Sequence, residues 1–104
     1  MVFMYLLVVY KIKNKEIKNS YIASINTSYE KLFNICIHNE HNIYRNGEFQ
    51  YACIKYIDEM FPMTEYNQQW FKYDVKNNYG NIINSPKNLI QYVDAIETYK
   101  RLGY

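Results

Sequence analysis

The first ten residues form an unbroken apolar run, and this run limits what the chain can fold into. Its two alternating sets of side chains are Val2, Met4, Leu6 and Val8, and Phe3, Tyr5, Leu7 and Val9. A strand that is apolar on both sides has to be covered on both sides. We therefore predict a strand over residues 2–12 that lies in the middle of a sheet.

This run does not have the pattern of a signal peptide or of a membrane span. A signal peptide carries basic residues before its apolar stretch and small residues at a cleavage site after it, whereas here the lysines follow the run. A helix needs about 20 apolar residues to cross a bilayer, which is twice the length of the run. The sequence therefore predicts no association with a membrane.

A polar turn over residues 13–16 separates this strand from a second strand predicted over residues 17–25. The second strand alternates, with Tyr21, Ala23 and Ile25 assigned to the buried side and Lys18, Ser20 and Ser24 to the solvated side. A helix should follow, because Thr27 and Glu30 have the spacing of a capping box. Its apolar stripe would contain Tyr29, Leu32, Phe33, Cys36 and Ile37.

The segment over residues 49–61 has two interpretations. Asn46 and Gly47 suit a two-residue hairpin turn that would lead into a strand over residues 49–57. The same residues also place an apolar stripe on one side of a helix that Pro62 would end. We favour the strand, because Tyr51, Ile54, Tyr56 and Ile57 are aromatic or β-branched.

The last third of the chain predicts a strand over residues 69–75, a short edge strand over residues 79–83 and a final helix that begins at Ser85 and Pro86. The buried stripe of that helix would contain Leu89, Ile90, Val93 and Ile96. We thus predict one α+β domain over residues 1–104, with the element order ββαββ(β)α. Its sheet would be small and mainly antiparallel, begin with an N-terminal hairpin and carry two helices on one face.

The composition indicates an A/T-rich genome, which fits phages, large DNA viruses, some Firmicutes and some protists. Ile, Asn, Lys and Tyr supply 49 of the 104 residues, and their codons are rich in A and T. The net charge is +2, which is neither that of a DNA mimic nor that of a histone-like polycation. A short chain of this kind without a catalytic signature is typical of a phage or viral accessory protein. We therefore predict a non-enzymatic protein in the host cytoplasm that binds and modulates a host protein or complex.

The predicted contact surface is the densest aromatic cluster of the sequence. It contains Tyr66, Trp70, Phe71, Tyr73 and Tyr79. Tyr and Trp are enriched among the residues that dominate protein interfaces. Part of the cluster must also be core, and the chain could use the remainder to bind a host protein or to form a homodimer.

A second hypothesis is a protein that binds nucleotides or single-stranded nucleic acid. Lys11, Lys13, Lys15 and Lys18 cluster at the first hairpin, with Tyr21 beside them. Such a surface combines positive charge for phosphates with rings for stacking bases, and its binding would weaken with salt. The alternative interpretation is an ordinary lysine-rich hairpin tip that discourages aggregation.

A third hypothesis is a small nuclease that uses His38 and His41, which flank Glu40. Two imidazoles and a carboxylate could act as acid and base or bind zinc, but the spacing of a zinc peptidase motif is absent. A solvated helix end is the favoured interpretation, so we predict no metal and no cofactor. Cys36 and Cys53 do not form a Cys-x-x-Cys pair and are predicted to be buried free thiols.

Overall fold

The computed structural model describes residues 3–14, 16–58 and 68–84. Five strands lie within these ranges: β1 (Phe3–Lys13), β2 (Glu16–Asn26), β3 (Tyr51–Asp58), β4 (Gln68–Asp74) and β5 (Tyr79–Ile83). They form one sheet in the order β2-β1-β3-β4-β5, and all four neighbouring pairs are antiparallel. The helix α1 (Tyr29–His38) connects β2 to the loop before β3, and that loop contains 3-10 turns at Glu40–Asn42 and Arg45–Gly47.

The prediction for the N-terminal run is confirmed. β1 lies between β2 and β3, and the side chains of Leu6, Leu7, Val8 and Val9 are buried whichever face they occupy. The two faces of the sheet hold separate apolar clusters, and α1 packs into only one of them. The double-sided pattern of β1 therefore follows from its central position.

The strand interpretation of the ambiguous segment is also confirmed, but the hairpin attached to it is wrong. Asn46 and Gly47 have the positive φ values of 59° and 94° that the predicted turn needs, and the Glu48 N–H donates to the Arg45 carbonyl at 3.1 Å. No strand leads directly into this turn, since residues 39–50 form the loop between α1 and β3. β3 pairs with β1 and β4 instead.

The predicted alternation of β2 fails at a β-bulge. Leu7 pairs with Ser24 and Val8 pairs with Ile22, so Ala23 has no residue directly opposite it. A bulge shifts the alternation by one residue. Ile25, which lies beyond the bulge, is consequently 45% exposed. Ser20 lies before the bulge and is buried at 8% exposure, although its side was predicted to be solvated, because it lies opposite Tyr10 in the second apolar cluster.

The helix begins one residue later than predicted. Its N-cap is Ser28, whose Oγ accepts a hydrogen bond from the Lys31 N–H at 3.4 Å, and not Thr27. Asn26 supports this start by accepting the Ser28 N–H at 2.7 Å. Leu32, Cys36 and Ile37 of the predicted stripe are buried, and Phe33 is half-buried.

The α+β class and the antiparallel sheet are confirmed, whereas the arrangement with two helices is not. In the part of the chain that the structure describes, α1 is the one α-helix, and it is followed by 3-10 turns. The predicted final helix lies outside the described residues. No described helix has the length and apolar character needed to cross a membrane.

Candidate functional site on the last hairpin

The predicted contact residues do not share one surface. Trp70, Phe71 and Tyr73 are buried in β4, whereas Tyr79 at the start of β5 is 42% exposed. Tyr66 lies outside the described residues. The predicted set thus contains three buried residues and one exposed residue, Tyr79, within the described part of the chain.

The buried members alternate between the two faces of the sheet. The Trp70 ring stacks on the Tyr10 ring with centroids 5.3 Å apart, and the buried Lys55 ammonium lies 5.7 Å from the Trp70 ring centroid. On the other face, Phe71 meets Phe33 of α1 edge-on at 5.6 Å. These contacts pack β4 on both faces of the sheet, and β4 in turn pairs with β5.

Exposed apolar side chains concentrate on the hairpin formed by β4 and β5. Val75 in its turn is 63% exposed, and Ile82 near the end of β5 is 57% exposed. With Tyr79 these make three of the five large exposed hydrophobic side chains within the described residues. We name Val75 and Tyr79 the turn patch, since both lie at the turn end of the hairpin.

The turn beneath this patch is rigidly hydrogen-bonded. The Asp74 carboxylate accepts the N–H groups of Lys76 at 3.0 Å and Asn77 at 3.3 Å, and also the Asn77 side-chain amide at 2.7 Å. The Tyr73 hydroxyl donates to Asn78 Oδ1 at 2.6 Å. The turn therefore has a defined conformation, although its side chains are exposed.

The loop that follows α1 ties the hairpin to the helix. Asn39 caps the helix with a φ of 50°, and its side-chain amide donates to Asn78 Oδ1 at 2.8 Å. Asn39 Oδ1 accepts the Tyr44 N–H at 3.1 Å. Asn tolerates the left-handed region better than most residues, and this explains why Asn39, Asn42, Asn46 and Asn78 occupy it here. Sequence reasoning missed this network, because Asn78 is far from the other three in sequence and meets Asn39 only in the fold.

Gly80 lets β5 lie directly against the end of α1. A Cβ atom at this position would come far closer than 3.0 Å to the Cys36 carbonyl oxygen and within 2.8 Å of the Tyr44 hydroxyl. Tyr44 is fully buried, donates to that same carbonyl at 2.9 Å and stacks on Tyr73. Only glycine fits between the strand and the helix end.

The lysines of the second hypothesis lie along the first hairpin and are partly paired with carboxylates. Lys11 meets Glu48 at 3.4 Å and Lys18 meets Glu16 at 3.0 Å, whereas Lys13 is exposed and Lys15 lies outside the described residues.

Tyr21 is not an open platform for a base. Its hydroxyl donates to the Ile43 carbonyl, and the Arg45 guanidinium carbon lies 4.1 Å from its ring centroid. These contacts do not favour the nucleic-acid hypothesis, which stays a prediction from the sequence.

The histidines of the third hypothesis belong to different local structures. His38 is the last residue of α1, and its ring lies 6.4 Å from that of Tyr79, whereas His41 has a φ of 57° in the following 3-10 turn. The helix ends between them, so they do not share a helical face. Among residues 3–14, 16–58 and 68–84, no group of three His, Cys, Asp or Glu side chains could hold a metal ion.

Both cysteines are buried free thiols, as predicted. Cys36 lies in the apolar cluster under α1 and Cys53 in the cluster on the opposite face of the sheet. Burial raises the pKa of Cys36, and it raises the pKa of Cys53 from 9.0 to about 12 even though the nearby Lys55 lowers it. Neither thiol therefore has the thiolate character of a reactive cysteine.

A thiol-specific reagent is expected to label the native protein very slowly at pH 8 and to label both cysteines rapidly after unfolding in guanidinium. Burial of the thiols also makes stability depend on pH, because between pH 9 and pH 12 the thiols ionise in the unfolded chain but not in the native one. Their contribution to the free energy of unfolding is therefore fully present below pH 9 and is lost as the pH rises toward 12. Rapid labelling of a native thiol at pH 8 would contradict the buried placement.

Comparison with known proteins assigns no family. The chain matches no protein-family model, no curated protein and no solved structure. The functional interpretation therefore depends on the residues described above.

Proposed function

We propose that this chain is a non-enzymatic accessory protein of a phage or virus that binds and modulates a host protein or complex through the turn patch, Val75 and Tyr79. One observation carries the proposal: two large apolar side chains are exposed at the turn end of one hairpin, and the turn itself is held by hydrogen bonds. The composition, whose most frequent residues have codons rich in A and T, fits a phage or viral source.

The exposure of the turn patch is informative, because the fold buries other apolar side chains of the same hairpin. Neighbouring apolar residues of the same hairpin, Phe71 and Tyr73, are buried under α1. Apolar groups that remain exposed together are typical of protein-binding surfaces, and a Tyr contributes large contact area for little lost side-chain freedom.

The rigid support of the turn patch would favour affinity. Binding is weakened by the ordering of loops and side chains at the interface. Here the hydrogen bonds of Asp74 and Asn78 have ordered the turn before any partner arrives. Under this proposal Tyr79 contacts the partner, whereas Trp70, Phe71 and Tyr73 hold the hairpin in place.

The substitution Tyr79→Ala is expected to weaken partner binding by at least about tenfold, which corresponds to roughly 1.4 kcal/mol. Val75→Asp should weaken it similarly, because it places a charge in the apolar contact. Both variants should unfold at the wild-type temperature, since both side chains are exposed. The measurement is capture by the tagged protein from a host lysate, followed by titration of each captured protein against wild type and variants.

Ile25→Ala is the matched control, because Ile25 is also exposed and apolar but lies on β2, at the opposite edge of the sheet from β5. A captured protein that wild type and this control retain, and that both turn-patch variants lose, would support the proposal. Equal binding by Tyr79→Ala, Val75→Asp and wild type would rule out the turn patch as the contact surface.

A further inference from the structure

The face of the sheet opposite α1 is buried, although α1 and its loop pack on the other face. Within the described ranges, the second apolar cluster, which lies on this face, consists of strand residues: Met4, Leu6, Val8, Tyr10, Ile12, Ile17, Ile22, Tyr51, Cys53, Ile57, Trp70 and Ile83. Leu6, Cys53 and Trp70 are at most 2% exposed. Side chains that stand on an open sheet keep an exposed outer side, so another layer must cover them.

The cover belongs to this same chain, because these side chains are buried within a single copy. Two stretches of some length lie outside the described ranges: residues 59–67, which connect β3 to its neighbour β4, and residues 85–104, which follow β5. The second apolar cluster runs across all five strands, a width of about 19 Å at the usual strand spacing. The longer stretch has enough residues for this width, since even a helix of that length measures about 30 Å. The shorter one does not, because it has to join two adjacent strands.

We propose that residues 85–104 cover the second apolar cluster, so that the sheet lies between α1 and the last segment of the chain. β5 leads the segment to this face, because Ile83 packs against the cluster. The segment also has the apolar stripe at helical spacing that a cover requires: Leu89, Ile90, Val93 and Ile96. This placement differs from the prediction from sequence, which put the final helix on the same face as α1. It is independent of the proposed function, which uses the turn patch.

Lys55 places a further requirement on the cover. It lies on this face of β3 and is fully buried, with its ammonium 5.7 Å from the ring centroid of Trp70. A buried ammonium is stable only where opposite charge or hydrogen bonds compensate for the lost water. Asp94 and Glu97 stand next to stripe residues in the sequence, so the proposed cover brings carboxylates to this face as well as apolar side chains.

Thiol labelling of the full-length chain tests the proposal, because the two native cysteines lie on opposite faces of the sheet. Val93→Asp puts a charge into the stripe and should raise the labelling rate of Cys53 at least about tenfold by favouring local opening. Cys36 under α1 should stay protected, and the fluorescence of Trp70 should shift to longer wavelength. Gln91→Asp, off the stripe, is the matched control and should leave both thiols protected.

A disulfide scan locates the segment directly and does not depend on how well Val93→Asp folds. In a Cys36→Ala background, single cysteines are placed at positions 89, 90, 93 and 96 of the stripe and, as controls, at Gln91 and Thr98. Each protein is refolded with oxidised glutathione. A bond to Cys53 needs Cβ atoms about 4 Å apart, so we expect it from a stripe position and not from Gln91→Cys or Thr98→Cys.

Two results of the scan would overturn the proposal: bonds to Cys53 from the control positions alone, or from no position. The proposal would also be wrong if Phe61→Asp exposed Cys53 and Val93→Asp did not, since the cover would then belong to residues 59–67. If Val93→Asp labels both thiols alike, the whole domain has opened, and the scan decides. None of these results bears on partner capture through the turn patch, so the two proposals can fail separately.

Discussion

Gly80→Ala is expected to destabilise the protein by about 3 kcal/mol, the upper part of the range for an atom forced into a well-packed interior. The added methyl would overlap the Cys36 carbonyl oxygen, which is backbone and has no rotamer to change. β5 or the end of α1 would have to move, and the bond between Tyr44 and Cys36 would be disturbed with them. Urea unfolding followed by the fluorescence of Trp70, the one tryptophan of the chain, measures the effect.

The neighbouring substitution Asn81→Ala is the control. Asn81 lies in the same short strand, but its side chain is exposed, so the change in unfolding free energy should stay within about 0.5 kcal/mol. All variants should be compared at one low protein concentration, because a dimer would add to the apparent stability. An unchanged urea midpoint for Gly80→Ala would show that β5 does not lie against the helix as described.

Phe71→Ala is expected to lower the free energy of unfolding by about 3–5 kcal/mol, the usual cost of removing a buried phenyl ring. The side chain is fully buried between the sheet and α1, where it meets Phe33. Its removal would leave a cavity that the rigid strand β4 cannot close. The measurement is again the urea midpoint, together with the loss of the folded near-ultraviolet circular dichroism signal at lower temperature.

Tyr79→Ala provides the contrast for this prediction. Both residues belong to the aromatic cluster predicted from the sequence, but Tyr79 is exposed and should change stability by no more than about 0.5 kcal/mol. The pair therefore separates core from contact surface within one cluster. A Phe71→Ala variant that unfolds like wild type would refute the core assignment.

The strands were predicted to within one residue at most ends, because their signals are local. β1 has apolar residues on both sides, β3 is rich in aromatic and β-branched residues, and β5 matches its predicted bounds. In the ambiguous segment, β-propensity agreed with the structure and the helical stripe did not. The stripe arose because Phe49 packs from the loop under α1 while the residues after it alternate in β3.

The pairing of strands was harder to predict than their existence. Asn46 and Gly47 form the turn that their types favour, yet the turn does not connect two strands. β3 instead pairs with β1, although β2 and α1 lie between these two strands in the sequence. Pairing between strands so distant in sequence depends on the burial of β1 on both sides, and a short local pattern does not show which strand provides that burial.

The candidate site was located only coarsely by the sequence. Aromatic density directed attention to β4 and the residues after it, and Tyr79 is exposed there. It could not separate Tyr79 from Phe71 or Tyr73, since all are aromatic and only the position of α1 decides which of them it covers. Val75 was not singled out at all, because a lone valine in a polar turn has no signal until its exposure is known.

By itself the sequence determined the elements: a chain this apolar at its start must bury a strand on both sides, and local propensity and capping set the ends of the strands and of α1. The tertiary structure alone decided which edges and side chains remain exposed. The bulge in β2 moves Ile25 to the surface, Gly80 lets β5 lie against α1, and Val75 and Tyr79 remain exposed. The physical reason is that hydrophobic burial depends on area rather than on residue order, so exposure is settled only when distant segments pack together.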